Sequence, residues 1–307
     1  MKFNDPDVIR LITREWKGER FADGRPRVSD SLLKRLSCLT TEEIYIPLYQ
    51  KGYKLHFESG LKAAKPDQRL IGRAVTAVMV PSRPDVHIGL LEHGRQVENR
   101  KGFFNQWVIE TLVENDVLVV DMCDQVMYGT YVGGNLSTAI RTRTKTGGAI
   151  IWGGIRDLEQ IVHIPDIQIY YRGVHPSPIS DVMMTAMNVP TRIGRAVCLP
   201  GDVVVGTISG VSFIPAHMAE YVAVCAEKSH IKDVFGFERL RTKAYTVAQI
   251  DSGIWSREMM DDFCRWLKTS PEAADYQHLE WSEEYAHCDD SVEANSQFNG
   301  LVTESFG

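Results

Sequence analysis

The sequence contains no apolar run approaching the roughly 18 to 20 residues that a bilayer span requires, no low-complexity tract, no internal repeat and no Ser/Gly linker. Membrane-helix, fibrous and solenoid readings are therefore excluded for the chain as a whole. Its six cysteines, Cys38, Cys123, Cys198, Cys225, Cys264 and Cys288, form no CxxC pair and have no histidine at finger spacing. They read as small buried or partly buried thiols rather than as a disulfide framework or a zinc site. There is no excess of positive charge: 34 Lys and Arg stand against 40 Asp and Glu, a net charge of -6. Such a surface has no global attraction for a phosphate backbone, and nucleic acid is not expected as a partner. Four motifs are missing too: GxGxxG after a strand, GxxxxGK[ST], HExxH and GxSxG, which removes support for dinucleotide, Walker-type, zincin and hydrolase-elbow chemistry. The opening MKFNDPDVIRLITREW carries charges where a signal peptide has its apolar stretch, so a cytoplasmic, membrane-free protein is expected.

What remains has ordinary globular composition, 307 residues with 44% apolar and 24% charged side chains. Asp5 is placed to cap a short helix with Pro6 at its first position and Val8, Leu11, Ile12 and Trp16 on one face. From Val28 a compact α/β pattern begins. A helix SDSLLKRLSCL is followed by Thr40, which with Glu43 forms a capping box for a second helix that Pro47 should shorten or kink. Strands are expected at RLIGRAVTAVMVP, VLVVD, GAIIWGG, IQIYYRG, TRIGRAVCLP, DVVVGT and GVSFIP. Helices are expected at FFNQWVIETLVEN, NLSTAIRTRTKT, briefly after Asp157, at AHMAEYVAVCAEKSHIK and over residues 256–268. From Thr269 the chain is acidic and poorly periodic, the pattern of a surface arm or partly disordered tail. The organisation read from this is an arm over 1–27, a catalytic domain over 28–232 and a helical extension with an acidic tail over 233–307.

The informative stretch is YVGGNLSTAIRTRTKTGGAIIWGGIRD, residues 131–157. Gly133 and Gly134 lead into a helix at Asn135 or Leu136, whose first amides are free and sit at the positive end of the helix dipole. Without Cβ atoms in the way, a small carboxylate or phosphate can approach those amides closely. The helix is followed by an apolar strand ending in Gly153 and Gly154, then Arg156 and Asp157 at its C-terminal edge, the usual ligand rim of an α/β sheet. Arg156 can fork onto a carboxylate or carbonyl oxygen, and Asp157 can hold a hard divalent cation through one oxygen. Taken singly, the glycines serve equally for a tight connection and the Arg–Asp pair for a surface ion pair. His87 and His93, at i and i+6, do not share a helical face and read as ordinary histidines. Arg141, Arg143 and Lys145 read as a solvated basic face.

In order and separation, G-G-x-L-x-x-A followed by G-A-x-x-x-G-G-x-R-D resembles the RraA-like family, as do SLLKRLSCLTTEEI, LIGRAVTAV and LPGDVVVGTISGVSFIPAHMAEYV; the resemblance covers about residues 28 to 232. That family holds the 4-hydroxy-4-methyl-2-oxoglutarate and 4-carboxy-4-hydroxy-2-oxoadipate aldolases and the regulator of ribonuclease E activity. The resemblance implies an α-β-β-α sandwich, here with N- and C-terminal helical arms, a homotrimer or homohexamer, and Mg²⁺ or Mn²⁺ as cofactor. It assigns a 2-oxo acid's carboxylate to the backbone of Gly133, Gly134, Asn135 and Leu136, its oxygens to Arg156, and the metal to Asp157. The implied activity is a metal-dependent carbon–carbon lyase, aldolase or decarboxylase, working through an enolate without a Schiff-base lysine. The alternatives are a hydratase or dehydratase on a related acid, or a non-catalytic regulator that docks on an RNA-processing enzyme. Where the aldolases often carry an acidic residue after the first glycine, this chain has Gly134, and Thr207 and Ser209 stand where acidic residues are common. The proton shuttle is left to Asp121, Asp124, Tyr128, His175 or Glu220.

Overall fold

A computed structural model describes residues 2–288. The chain divides into two compact units, one reaching to Ala223 and one beginning at Val224. In chain order the first unit contains α1 (Pro6–Ile12), α2 (Asp30–Ser37), α3 (Thr41–Gln50), β1 (Phe57–Glu58), β2 (Lys62–Ala63) and β3 (Leu70–Pro81). Then come α4 (Pro84–Gln96), α5 (Phe104–Ile109), β4 (Asp116–Asp121), α6 (Gly134–Thr144), β5 (Gly148–Ile155), α7 (Leu158–Ile161) and β6 (Gln168–Val174). It closes with β7 (Val182–Met187), β8 (Thr191–Ile193), β9 (Ala196–Cys198), β10 (Val203–Thr207) and β11 (Gly210–Ile214).

The expected mixed α/β architecture is present. One nine-stranded sheet runs β1-β11-β10-β3-β4-β5-β6-β2, with β7 also pairing with β3, and β8 and β9 form a separate hairpin. The central strands β3, β4, β5 and β6 are parallel, and the rest join them antiparallel. Buried on both faces, β4 and β5 read as the near-continuous apolar runs that parallel strands require. One face packs Leu118, Val120, Ala149 and Ile151 against Trp107, Val108 and Ile140 of α5 and α6. The other packs Val117, Val119 and Ile150 against Ile193, Val204 and Phe213. Ser29 caps α2 through the Leu32 amide, and Thr40 and Glu43 form the capping box of α3. That helix runs past Pro47 to Gln50.

Several elements depart from the sequence reading. Asp5 caps α1 as expected, but Val8 and Leu11 are exposed and Ile9 is buried. Phe3 sets that orientation, its ring 5.5 Å from Trp107 in the main core. The helix expected over residues 103–115 stops at Ile109, and TRIGRAVCLP breaks into β8 and β9 at Gly194, whose φ of +58° makes the turn. α4, β1, β2 and β7 are additional elements. Cys38 and Cys123 are exposed rather than buried, and none of the six cysteines is in a disulfide.

The segment FADGRPR, residues 21–27, supplies a buried ion pair. Arg25 Nη1 and Nη2 donate to the two oxygens of Asp116 at 2.9 and 3.1 Å, and Nε donates to Asp23 at 2.7 Å. Burial opposes the charge of Arg25, yet the Asp116 and Asp23 carboxylates hold it above the ordinary arginine range.

A second buried acid, Asp202, accepts the Leu199 amide at 2.7 Å, and burial pushes its carboxyl up to about 7. An acid whose folded value is raised adds stability that is complete below the unfolded value near 3.8 and is lost as pH rises through about 7. Asp202→Asn should flatten that part of the profile. In urea titrations at pH 5 and pH 8, wild type should lose a few kcal/mol more than the variant; equal losses would assign the slope to other groups.

The second unit takes up α8 (Ala219–Arg241) after its first turn, then α9 (Val247–Ile250), α10 (Arg257–Thr269) and α11 (Ser282–Ala286). Its core is aromatic: Phe235, Trp255, Phe263 and Trp266 pack with Met259, Met260 and Leu279. α10 places Met259, Met260, Phe263, Trp266 and Leu267 inward as its periodicity requires. The stretch after Thr269 is not an unstructured arm as far as residue 288, because a 3₁₀ turn at Pro271–Tyr276 and α11 bury Ala273, Leu279 and Cys288. The remaining acidic tail lies outside the described residues. No helix among the described residues is long and apolar enough to cross a membrane.

Candidate active site

β5 ends at Ile155 and hands Arg156 and Asp157 to the sheet's C-terminal rim. On one side the returning loop lies along the strand: Tyr131 N–H donates to Gly154 O at 2.9 Å, and Arg156 N–H to Val132 O at 3.0 Å. That pairing sets Gly133, the residue preceding α6, directly over the Arg–Asp pair. A Cβ on Gly133 would run into Asp157 Oδ2 and come within 3.0 Å of Arg156 Cγ and Nε. The backbone of Gly133 is extended, with φ -132°, so glycine is needed for close approach and not for conformation.

The sequence-predicted residues are thus brought together. Asp157 Oδ2 accepts the Gly134 amide at 3.2 Å and lies 3.8 Å from Arg156 Nε. Among the described residues the Asn135 and Leu136 amides have no acceptor, whereas Ser137 N–H already bonds Gly133 O. Two free donors and the positive end of the dipole of an eleven-residue helix therefore lie beside the Gly134 amide on which Asp157 rests. Arg156 and Asp157 keep 45% and 35% of their side-chain surface, enough for both to meet a ligand. Asp157 adopts the left-handed conformation (φ 54°), uncommon outside glycine and recurrent at functional sites. Leu136 also lines an open cleft of about 610 Å³ with Lys101, Gln106 and Trp107.

The sequence did not reveal Gln160, whose carboxamide fills the space a side chain at 134 would take, nor Asn105, whose Nδ2 donates to Tyr131 O at 2.9 Å and steadies the loop. Both depend on chain segments that meet only in the fold.

None of the five proton-transfer candidates hydrogen-bonds to Arg156 or Asp157 among the described residues, although His175 N–H donates to Ile155 O at 3.0 Å, one residue before Arg156. Asp121 accepts the Cys123 amide and lies 3.5 Å from Arg192. Asp124 is bidentate with Arg172, and Glu220 is paired with Arg35. His175 Nδ1 accepts the Ser177 amide at 3.1 Å, and Tyr128 stacks obliquely near it, ring centroids 6.4 Å apart. Thr207 is buried against Thr41. His87 bonds Ser82, and Arg141, Arg143 and Lys145 pair with Asp166, Glu110 and Glu114.

Steric logic separates the two glycines. Gly133→Ala should cost about tenfold or more in kcat/KM, because both functional side chains must move. Gly134→Ala displaces only the mobile end of Gln160 and should stay within a few-fold of wild type. Steady-state kinetics of both variants, with circular dichroism as the folding control, check the contrast.

A family model described as "RraA-like: Aldolase/RraA" matches residues 26–212. The chain belongs to the RraA-like family. A protein of Halalkalibacterium halodurans named "Putative 4-hydroxy-4-methyl-2-oxoglutarate aldolase" is 29% identical over 121 residues, 38% of this chain. The match spans only 55% of that relative's length. Among solved structures, Streptomyces coelicolor RraAS2, described as an unusual member of the RNase ES inhibitor RraA protein family, aligns over 69% of this chain and 97% of its own with 23% identity and a TM-score of 0.57. An uncharacterized protein from Pseudomonas syringae pv. tomato covers 76% of this chain and 97% of its own, with 19% identity and a TM-score of 0.60. At 23% identity the likeness to RraAS2 shows the fold and not the role of this chain.

Proposed function

We propose that this RraA-like chain is a divalent-metal-dependent carbon–carbon lyase, an aldolase or decarboxylase, acting on a small 2-oxo acid. The observation that carries the reading is the packing of Arg156 and Asp157 against Gly133, a glycine that admits no side chain, with Asp157 on the first amide of α6. The residues fit a hard cation that keeps most of its water. Asp157 offers one accessible carboxylate, and among the described residues no cluster of three or more His, Cys, Asp or Glu supplies an all-protein cage. Mg²⁺ or Mn²⁺ would supply a Lewis acid at the 2-oxo group.

The chain's own residues do the rest. The Asn135 and Leu136 amides hold the substrate carboxylate at the helix N-terminus, and Arg156 forks onto the adjacent oxygens. Charge that develops on the 2-oxo oxygen as the neighbouring C–C bond breaks is met by the Arg156 guanidinium and the oriented dipole of α6. The cleft beside Leu136 gives the departing fragment room. A docking regulator has no need of an amide nest beside a metal-ready carboxylate, which favours chemistry over a purely binding role. The family's oligomeric habit extends to the same proposal, a homotrimer or homohexamer in the cytoplasm. The test is a panel of hydroxylated and carboxylated 2-oxo acids with Mg²⁺ or Mn²⁺, scored by product identity. Metal-dependent release of pyruvate or a similar 2-oxo fragment supports the reading, and a panel with no turnover opposes it.

A further inference from the structure

The first unit holds a cavity that the site above does not use. It measures about 420 Å³ and lies among the end of β3, the starts of α4 and α5 and residues 178–182, with Met79, Phe103, Phe104, Ile179 and Val182 as its apolar walls. Among the described residues no Asp, Glu, Lys or Arg lines it, whereas the cleft beside Leu136 carries Arg100, Lys101 and Glu110. Phe103 remains 58% exposed, so the cavity opens to solvent along that ring. Its polar lining is His87, Asn105 and Ser180. Asn105 Nδ2 donates to Tyr131 O at 2.9 Å while its Oδ1 accepts the Gln106 amide, and Ser180 Oγ donates to Asp181. His87 Nδ1 shares a hydrogen bond with Ser82 Oγ at 2.9 Å, and its ring meets Phe104 edge to face at 5.3 Å. The Nε2 of His87 has no partner among the described residues.

A charged 2-oxo acid would be desolvated here without a counter-ion, which selects against it. We infer that this cavity binds a small neutral aromatic molecule bearing a hydroxyl, and that its occupancy tightens the loop leading to Gly133. The rings Phe103 and Phe104 and the Met79 thioether suit an aromatic ligand. A hydroxyl can donate to or accept from His87 Nε2, whichever tautomer is present. An apolar cavity of about 150 Å³ takes one benzene ring, so about 420 Å³ has room for a fused two-ring molecule. The walls also hold the loop. Asn105 fixes Tyr131 O from α5, and the Ser180 and Asp181 amides both donate to Tyr128 O, at 2.9 and 3.3 Å. A ligand that needs both walls in place lowers the population in which residues 128–131 come away, by about tenfold at a concentration ten times its Kd. The cavity and its ligand stand whether or not Arg156 and Asp157 act on a 2-oxo acid.

The experiment titrates 2-naphthol into the full-length protein carrying isotope-labelled methionine methyl groups, with Met79→Leu assigning the resonance by NMR. The Met79 methyl should shift and saturate, while Met259 and Met260 in the core of the second unit stay in place. The anion 2-naphthoate should bind at least about tenfold more weakly than 2-naphthol. Ile179→Trp, which fills the cavity from a half-buried position, should weaken 2-naphthol by about tenfold or more with an unchanged circular dichroism spectrum. With 2-naphthol at ten times its Kd, amide exchange across residues 128–133 should slow by about tenfold. An unmoved Met79 methyl, 2-naphthoate bound as tightly as 2-naphthol, wild-type affinity in folded Ile179→Trp, or unchanged exchange at 128–133 would overturn the inference. None of these readouts depends on turnover at Arg156 and Asp157.

Discussion

Asp157→Asn is expected to lower metal-dependent turnover by about 10²- to 10³-fold or more, the scale on which a single preorganised electrostatic group acts in a low-dielectric site. Asparagine is the informative replacement. Asp157 sits at φ 54°, a conformation that Asn tolerates and Ala does not, so the backbone survives while the charge is removed. The Asn side chain can still accept the Gly134 amide, leaving the start of α6 capped. Loss of activity with an unchanged melting temperature would then report the missing carboxylate and not a disordered loop. A variant within tenfold of wild type in saturating Mg²⁺ would remove Asp157 from the chemistry.

The largest stability effect is expected at Arg25. Truncation to Met leaves Asp116 wholly buried without its cation, a loss of about 3–5 kcal/mol. Urea denaturation measures it directly. The double variant Arg25→Met with Asp116→Leu should recover much of the loss, since an apolar pair of similar volume avoids the uncompensated charge. A single-variant cost below about 1 kcal/mol would mean that the carboxylate finds water or another partner.

The sequence pattern disclosed what depends on local physics. Asp5, and Thr40 with Glu43, announce their helices because a cap is decided within four residues. The apolar runs of β3, β4 and β5 are legible because burial on both faces leaves no room for polar residues. The candidate site was legible for the same reason: Gly133, Gly134, Arg156 and Asp157 belong to one β-α-β passage, and their meeting needs only that connection to be made. β7 was not legible, because VMMTAM lacks a clean alternation and exists as a strand through its distant pairing with β3. α4 was missed because it is so thinly covered that Gly94 is its one buried residue. Ile9 rather than Val8 faces inward because Phe3, outside the helix, anchors the segment. The left-handed backbone of Asp157 likewise leaves no trace in residue type, since Asp adopts it only where neighbours compel it.

Co-crystallisation with oxalate, a planar mimic of a 2-oxo acid's enolate, and Mn²⁺ tests the central proposal most directly. The account requires Mn²⁺ density at Asp157, with oxalate in contact with Arg156 and with the Asn135 and Leu136 amides. Oxalate and Mn²⁺ bound elsewhere, with Asp157 still resting on the Gly134 amide and Arg156 untouched, would contradict it.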